Sequence, residues 1–221
     1  MPASLREPAV FDASPLVFLD VLGYAVLLPD LHRVLVPPAV VEELVVLPGE
    51  PGSSLPAKEW VERRAPGAET LRRVESEMSE GKGEKEAIAL ALDLSALVVL
   101  DGKRARSYAR RVGLRLTATL GVLLRLHGIG LASRGLEEDL RLLEEAGMRI
   151  TPELRRMVLD TDPGKRGENQ KARSGAVFSR ALAYRNRETP EFRYEAGGQA
   201  LPGSYSRRAF SSSSTLCKAS S

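Results

Sequence analysis

Two short apolar runs each end in an aspartate: Val10-Phe11-Asp12-Ala13-Ser14-Pro15-Leu16, which passes straight into a helix-forming stretch, and Leu97-Val98-Val99-Leu100-Asp101. Runs of this length, apolar at successive positions, suit strands buried on both faces of a parallel sheet. Parallel strands need crossover connections, so the pattern restricts the chain to an α/β architecture. Proline is pre-organised for the first helical position and a preceding serine can cap it, which places a helix start at Ser14-Pro15. Asp12 then stands at the carboxyl end of a core strand beside a helix N-terminus, where open α/β sheets bind ligands. Asp101 repeats the arrangement.

The segments between alternate accordingly. Leu16 to Leu22 reads as a short helix that Gly23 ends, and Val34-Leu35-Val36 as a strand stopped by Pro37-Pro38. Ala39 to Leu47 reads as a helix, Pro48 to Pro56 as a loop, and helical patterning resumes near Ala57 with Trp60 and Val61. It breaks at Pro66-Gly67 and returns from Ala68 to about Met78. Gly81-Lys82-Gly83 precedes the strong helix formers Glu84 to Leu92, and a basic helix after Asp101 reaches Val112 with Gly113 as its stop. Leu114-Arg115-Leu116 reads as a last strand leading through Thr117 and Thr119 into another helix. Leu136 to Ala146 is amphipathic, with Leu136, Leu140 and Leu143 on one face and acids on the other, and Thr151-Pro152-Glu153 starts a final helix.

With 221 residues, 43% of them hydrophobic, the chain can bury a sizeable core. No stretch of about eighteen uninterrupted apolar residues exists, so no membrane span is expected. Met1 to Pro8 lacks the basic-then-apolar order of a secretory signal, and a cytoplasmic protein is the expectation. The lone Cys217 excludes an internal disulfide and a cysteine metal cluster, and His32 and His127 belong to no zinc pattern.

Charge is unevenly spread. Residues 161–221 hold 11 Lys/Arg against 5 Asp/Glu, or +6, while the other 160 residues hold 21 against 24, or −3. The pattern of strands and helices stops at Thr161, so residues 1–160 are read as the globular domain and 161–221 as a basic, disordered or non-native tail. Inside the domain no acid occurs from Gly102 to Leu136, a span that holds Lys103, Arg104, Arg106, Arg110 and Arg111. A basic stripe directly after Asp101 is an electrostatic footprint for phosphate-rich partners, although an ordinary solvated helix face would look the same.

Helix geometry, at about 100° per residue, sorts the acids between the strands. Glu84 falls amid Ala87, Ile88 and Ala91, whereas Glu86 points the opposite way with Asp93 and reads as a surface charge. Glu43 borders the stripe of Val40, Leu44 and Leu47, and Glu42 lies nearly opposite. Singly, each acid is an ordinary helix-start charge or salt-bridge partner. Jointly, Asp12, Glu43, Glu84 and Asp101 are four inward carboxylates without histidine or cysteine, a donor set that selects Mg²⁺ or Mn²⁺.

These segments resemble the PIN domain, a family of metal-dependent ribonucleases, over about residues 9–159. The likeness rests on Asp12-Ala13-Ser14-Pro15-Leu16, Val36-Pro37-Pro38-Ala39-Val40-Val41-Glu42-Glu43-Leu44, Gly83-Glu84-Lys85-Glu86-Ala87-Ile88-Ala89-Leu90-Ala91 and Val99-Leu100-Asp101. It looks closest to the VapC-like toxins of toxin–antitoxin pairs, in a branch carrying a Thr-Leu-Gly-Val-Leu segment, here Thr119 to Leu123. The resemblance implies a PIN-like three-layer α/β/α sandwich with a parallel sheet and acidic metal ligands at the same four positions. It also implies RNA as substrate, a small antitoxin as partner and a homodimer. Ser14 matches a position that supports the site by hydrogen bonding, and Thr117 and Thr119 are candidates for a similar role. Gly102 departs from the pattern, since the branch often has a second aspartate there.

The expected chemistry is hydrolysis of an RNA phosphodiester to a 5′-phosphate and a 3′-hydroxyl. Lys103, Arg104, Arg106, Arg110 and Arg111 would hold the RNA backbone. Two alternatives differ in class. One is a non-catalytic PIN fold that binds RNA or protein. The other is a haloacid-dehalogenase-like phosphatase, which normally wants a second aspartate where Ser14 stands.

Overall fold

The computed structural model describes residues 6–46 and 48–161; the tail expected from residue 161 lies, but for Thr161, outside them. Five strands, β1 (Pro8–Phe11), β2 (Arg33–Val36), β3 (Val61–Arg63), β4 (Leu97–Val99) and β5 (Leu116–Thr117), form an all-parallel sheet in the order β3-β2-β1-β4-β5. The helices are α1 (Ala13–Val21), α2 (Leu28–Leu31), α3 (Pro38–Val45), α4 (Ala68–Glu77), α5 (Lys82–Leu94), α6 (Lys103–Arg111), α7 (Thr119–Gly128), α8 (Leu136–Glu145) and α9 (Pro152–Asp160).

Side chains of the strands alternate between two cores, as the period of two requires. Ala9, Phe11, Val34, Val36 and Val99 pack with α1, α2, α7 and α8, while Val10, Leu35 and Val98 pack with α4, α5 and α6. Both faces are therefore covered, which is why the strands read as continuous apolar runs.

The strand order fixes where a ligand site can be. From β1 the chain proceeds outward to β2 and β3, then returns to the other side of β1 as β4 and continues to β5. The boundary between β1 and β4 is thus the topological switch point, and the crevice beyond their carboxyl ends is open to ligands. Asp12 follows β1 and Asp101 lies two residues beyond β4. The Asp12 amide donates to the Val99 carbonyl at 3.2 Å, tying the two strand ends together.

Three expectations are corrected. Helix α1 begins at Ala13, with Asp12 as its N-cap residue, so Ser14 lies inside the first turn and does not cap it. Pro15 is accepted there because the first amides of a helix have no intrahelical acceptor. The region around Trp60 is not helical: a 3-10 turn at Leu55–Ala57 leads into β3, whose Val61 pairs with Val34 on the edge of the sheet. Pairing with β2 outweighs local propensity at such a segment. Finally, the acids of α8 do not all face water. Asp139 is fully buried, accepting from Tyr24 Oη at 3.2 Å and Arg134 Nε at 2.8 Å, with His127 Nε2 at 2.8 Å. A buried carboxylate is tolerable when so fully paired.

Candidate functional site

Asp12 is carried to the switch point by β1 and is only 5% exposed. Asp101 arrives beside it from β4. Glu43 lies on α3, which β2 and Pro37-Pro38 launch toward the same end of the sheet; it is exposed, not inward as the helical projection has it, and only its carboxylate folds back onto Gly83. Glu84 stands in the first turn of α5. The four acids thus come from four different elements around the carboxyl ends of two adjacent strands, and the charges of the other three all act on Asp12.

Their electrostatics record the convergence. The Asp12 carboxyl is pushed well above its ordinary range, first by burial, then by the negative charges of Glu84 and Glu43, with Asp101 adding less; the Ala13 amide opposes this. Glu43 is raised by desolvation of its carboxyl against the Gly83 amide's opposing pull, and Glu84 by burial and by neighbouring Glu80 and Glu43. Asp101 is raised by burial even though Thr119 and the Arg106 charge pull it down. Among the described residues none of the four forms an ion pair. Desolvated carboxylates without a counter-ion are costly, and an oxygen-only set of this kind suits a hard divalent cation. Among the described residues no three His, Cys, Asp or Glu side chains stand close enough together to hold a metal ion as they are placed. The donor chemistry fits such an ion; ligand geometry is not drawn together in advance.

Each acid has local support. Thr119, fully buried, donates to Asp101 twice, from its amide at 3.0 Å and its hydroxyl at 2.6 Å. The Glu43 carboxylate accepts from the Gly83 amide at 3.1 Å. A Cβ on Gly83 would stand 2.6 Å from Glu43 Oε1 and 2.9 Å from its Cδ. A Cβ on Gly102 would collide with Oε1 of Glu84 and stand 3.2 Å from its Cδ. Both carboxylates therefore rest on bare backbone. Ser14, half-buried on α1, makes no side-chain hydrogen bond among the described residues. Thr117 is turned elsewhere, its hydroxyl against Gly121 and its side chain lining a cavity of about 260 Å³ with His32 and Arg125.

The basic stripe divides on α6. Ala105, Tyr108 and Ala109 anchor the helix to the core. Arg106 is half-buried, lies close enough to Asp101 to depress its carboxyl, and has a buried Nε without a partner. Arg111 is occupied, 3.7 Å from Glu77 and stacked 4.9 Å over the Tyr108 ring. Lys103, Arg104 and Arg110 are exposed and make no ion pair among the described residues.

One acid was misjudged by the helical projection. Glu86 is not a surface charge: it is 6% exposed and accepts from the Ala39 amide at 2.8 Å. Helix α5 is covered by both α3 and α4, so its buried arc is far wider than one stripe. The available signal was Pro37-Pro38, a helix start that cannot cap itself and must borrow an acceptor from elsewhere. In the sequence Gly83 reads as punctuation and Gly102 as a departure from the family pattern, and neither carries a cue that it faces a carboxylate.

A family model described as a PIN domain, a fold whose members are generally nucleases, matches residues 8–162. No curated protein matches the chain. With the matched span covering the whole sheet and all four acids, the chain belongs to the PIN-domain family, whose members in general act on nucleic acid.

Proposed function

We propose that this PIN domain is a metal-dependent endoribonuclease. The observation that carries the reading is the buried Asp12 carboxylate at the switch point between β1 and β4, on which the charges of Glu84, Glu43 and Asp101 all act. Asp12, Glu43, Glu84 and Asp101 would hold Mg²⁺ or Mn²⁺, with Asp12 central, and the ion would supply an activated water and offset charge on the phosphodiester. Thr119 fixes the Asp101 carboxylate through both of its donors, so that acid cannot rotate out of the crevice. Arg106 lies beside Asp101, where its positive charge would offset that of a phosphodiester. Lys103, Arg104 and Arg110 extend the positive surface along α6 for the flanking backbone. Water adds to phosphorus and the 3′-oxygen leaves with a proton, giving a 5′-phosphate and a 3′-hydroxyl.

The physiological role we infer is that of a cytoplasmic toxin restrained by a small antitoxin, acting as a homodimer; the reading follows the VapC-like segments. Among the described residues no single helix is long and apolar enough to cross a membrane. Purified wild-type protein and Asp12→Asn are compared on a 5′-labelled single-stranded RNA in Mg²⁺, in Mn²⁺ and in EDTA. Cleavage that needs metal and is lost in Asp12→Asn is expected. Equal cleavage by the two proteins overturns the mechanism, and metal-independent RNA binding without cleavage establishes the non-catalytic alternative.

A further inference from the structure

We infer that Gly83 and Gly102 are positioning residues for the acidic site, each keeping bare the patch of backbone on which a carboxylate rests. The inference stands on the proposed metal role of those carboxylates. Neither glycine is needed for its own backbone conformation. Gly83 is helical, in the first turn of α5, and Gly102, the N-cap of α6, has φ −58° and ψ 123°, open to any residue. What each avoids is a side chain. A Cβ at 83 would stand 2.6 Å from Glu43 Oε1, 2.9 Å from its Cδ and 2.9 Å from its Oε2; one at 102 would meet Oε1 of Glu84 and stand 3.2 Å from Cδ. The N-cap glycine of α8, Gly135, would place its Cβ in open space. So glycine at a helix start here does not in itself imply such a contact.

The atoms struck are the far ends of flexible glutamates. A methyl group at either position therefore displaces a carboxylate instead of the backbone. For Glu43 the displacement also breaks its contact with the Gly83 amide, which at present holds it over α5. For Glu84 it removes the carboxylate from the gap between α5 and α6, where its charge now reaches Asp12. The fold should tolerate both changes while the site loses a donor, a separation that marks a positioning residue.

The test titrates MnCl₂ into the full-length chain by calorimetry, for wild type, Gly83→Ala, Gly102→Ala and the control Gly135→Ala, with thermal melts in EDTA alongside. Wild-type affinity in Gly135→Ala and a loss of about 10- to 100-fold in the other two is expected, the range seen when groups that orient metal ligands are removed. Metal-free melting temperatures should stay near wild type, and Gly83→Ala gains helix propensity. Should Gly102→Ala melt lower, adding Glu84→Ala must restore it, because the struck atom is gone; a loss that persists overturns Glu84 as the partner. Mn²⁺ bound by both variants as tightly as by wild type overturns the inference. A wild-type protein that takes up no Mn²⁺ overturns the metal reading itself, a separate outcome.

Discussion

At the scale of single residues, Asp12 carries the highest cost and the most function. Its carboxylate is buried, faces three other acids and has no cation beside it, so the folded protein is held against this charge. Asp12→Asn keeps the shape and removes the charge. We expect it to raise metal-free stability in urea denaturation at pH 7 with EDTA, since the folded state then no longer buries a group whose charged form burial and its acidic neighbours disfavour. The same variant should lower RNA cleavage at least about 100-fold, the scale of removing one group that stabilises a transition state. Opposite signs on stability and activity distinguish a functional acid from a structural one; a variant that loses both places Asp12 among the capping residues. Thr119 is the converse case. Thr119→Val deletes the 2.6 Å hydroxyl contact to Asp101 and leaves only the amide, so stability should fall by about 1–3 kcal/mol as cleavage falls with it.

At the scale of elements, α5 and α6 show what the sequence carried and what it did not. The strands could be read from apolar runs because both faces of the sheet are buried, and Asp12 and Asp101 from their places at strand ends. Glu86 could not, because a helical projection assumes one buried stripe and α5 is packed between α3 and α4. The edge strand around Trp60 escaped for a related reason: three residues paired to β2 hold a conformation that their own pattern does not announce. Glu86 consequently belongs to the scaffold. Glu86→Ala leaves the Ala39 amide without an acceptor at a helix start whose Pro37 and Pro38 offer no cap, and should cost about 1–3 kcal/mol in thermal or urea denaturation. On α6 the test is salt. Replacing Lys103, Arg104 and Arg110 by Gln should weaken single-stranded RNA binding for every sequence. Each true phosphate contact removed should reduce the slope of log affinity against log salt by about 0.7. An unchanged slope identifies the stripe as an ordinary solvated face.

At the scale of the whole molecule, the sheet order and the charge distribution together make stability depend on pH and on metal. A parallel sheet with a switch point between β1 and β4 leaves a crevice beyond the carboxyl ends of those strands, with Asp12 at its base and the charges of three further acids acting on it. All four have carboxyls raised above their unfolded values, so between those values the native state binds more protons than the unfolded chain. Stability then falls as pH rises: the contribution is complete below about pH 4, where the unfolded carboxyls are protonated, and is lost as pH climbs through the folded values. In EDTA, melting temperature should therefore drop as pH rises above about 4, opposite to the trend that paired carboxylates give. Asp12→Asn should flatten that drop, because it removes the group most strongly raised. Mn²⁺ at roughly a hundred times its dissociation constant should return about 2.7 kcal/mol in neutral solution, since the ion binds the folded site. Its effect should fade in acid, where protons occupy the ligands. A melting temperature indifferent to pH in EDTA, or a metal effect as large in acid as in neutral solution, contradicts the account of carboxylates disfavoured in their charged form by burial.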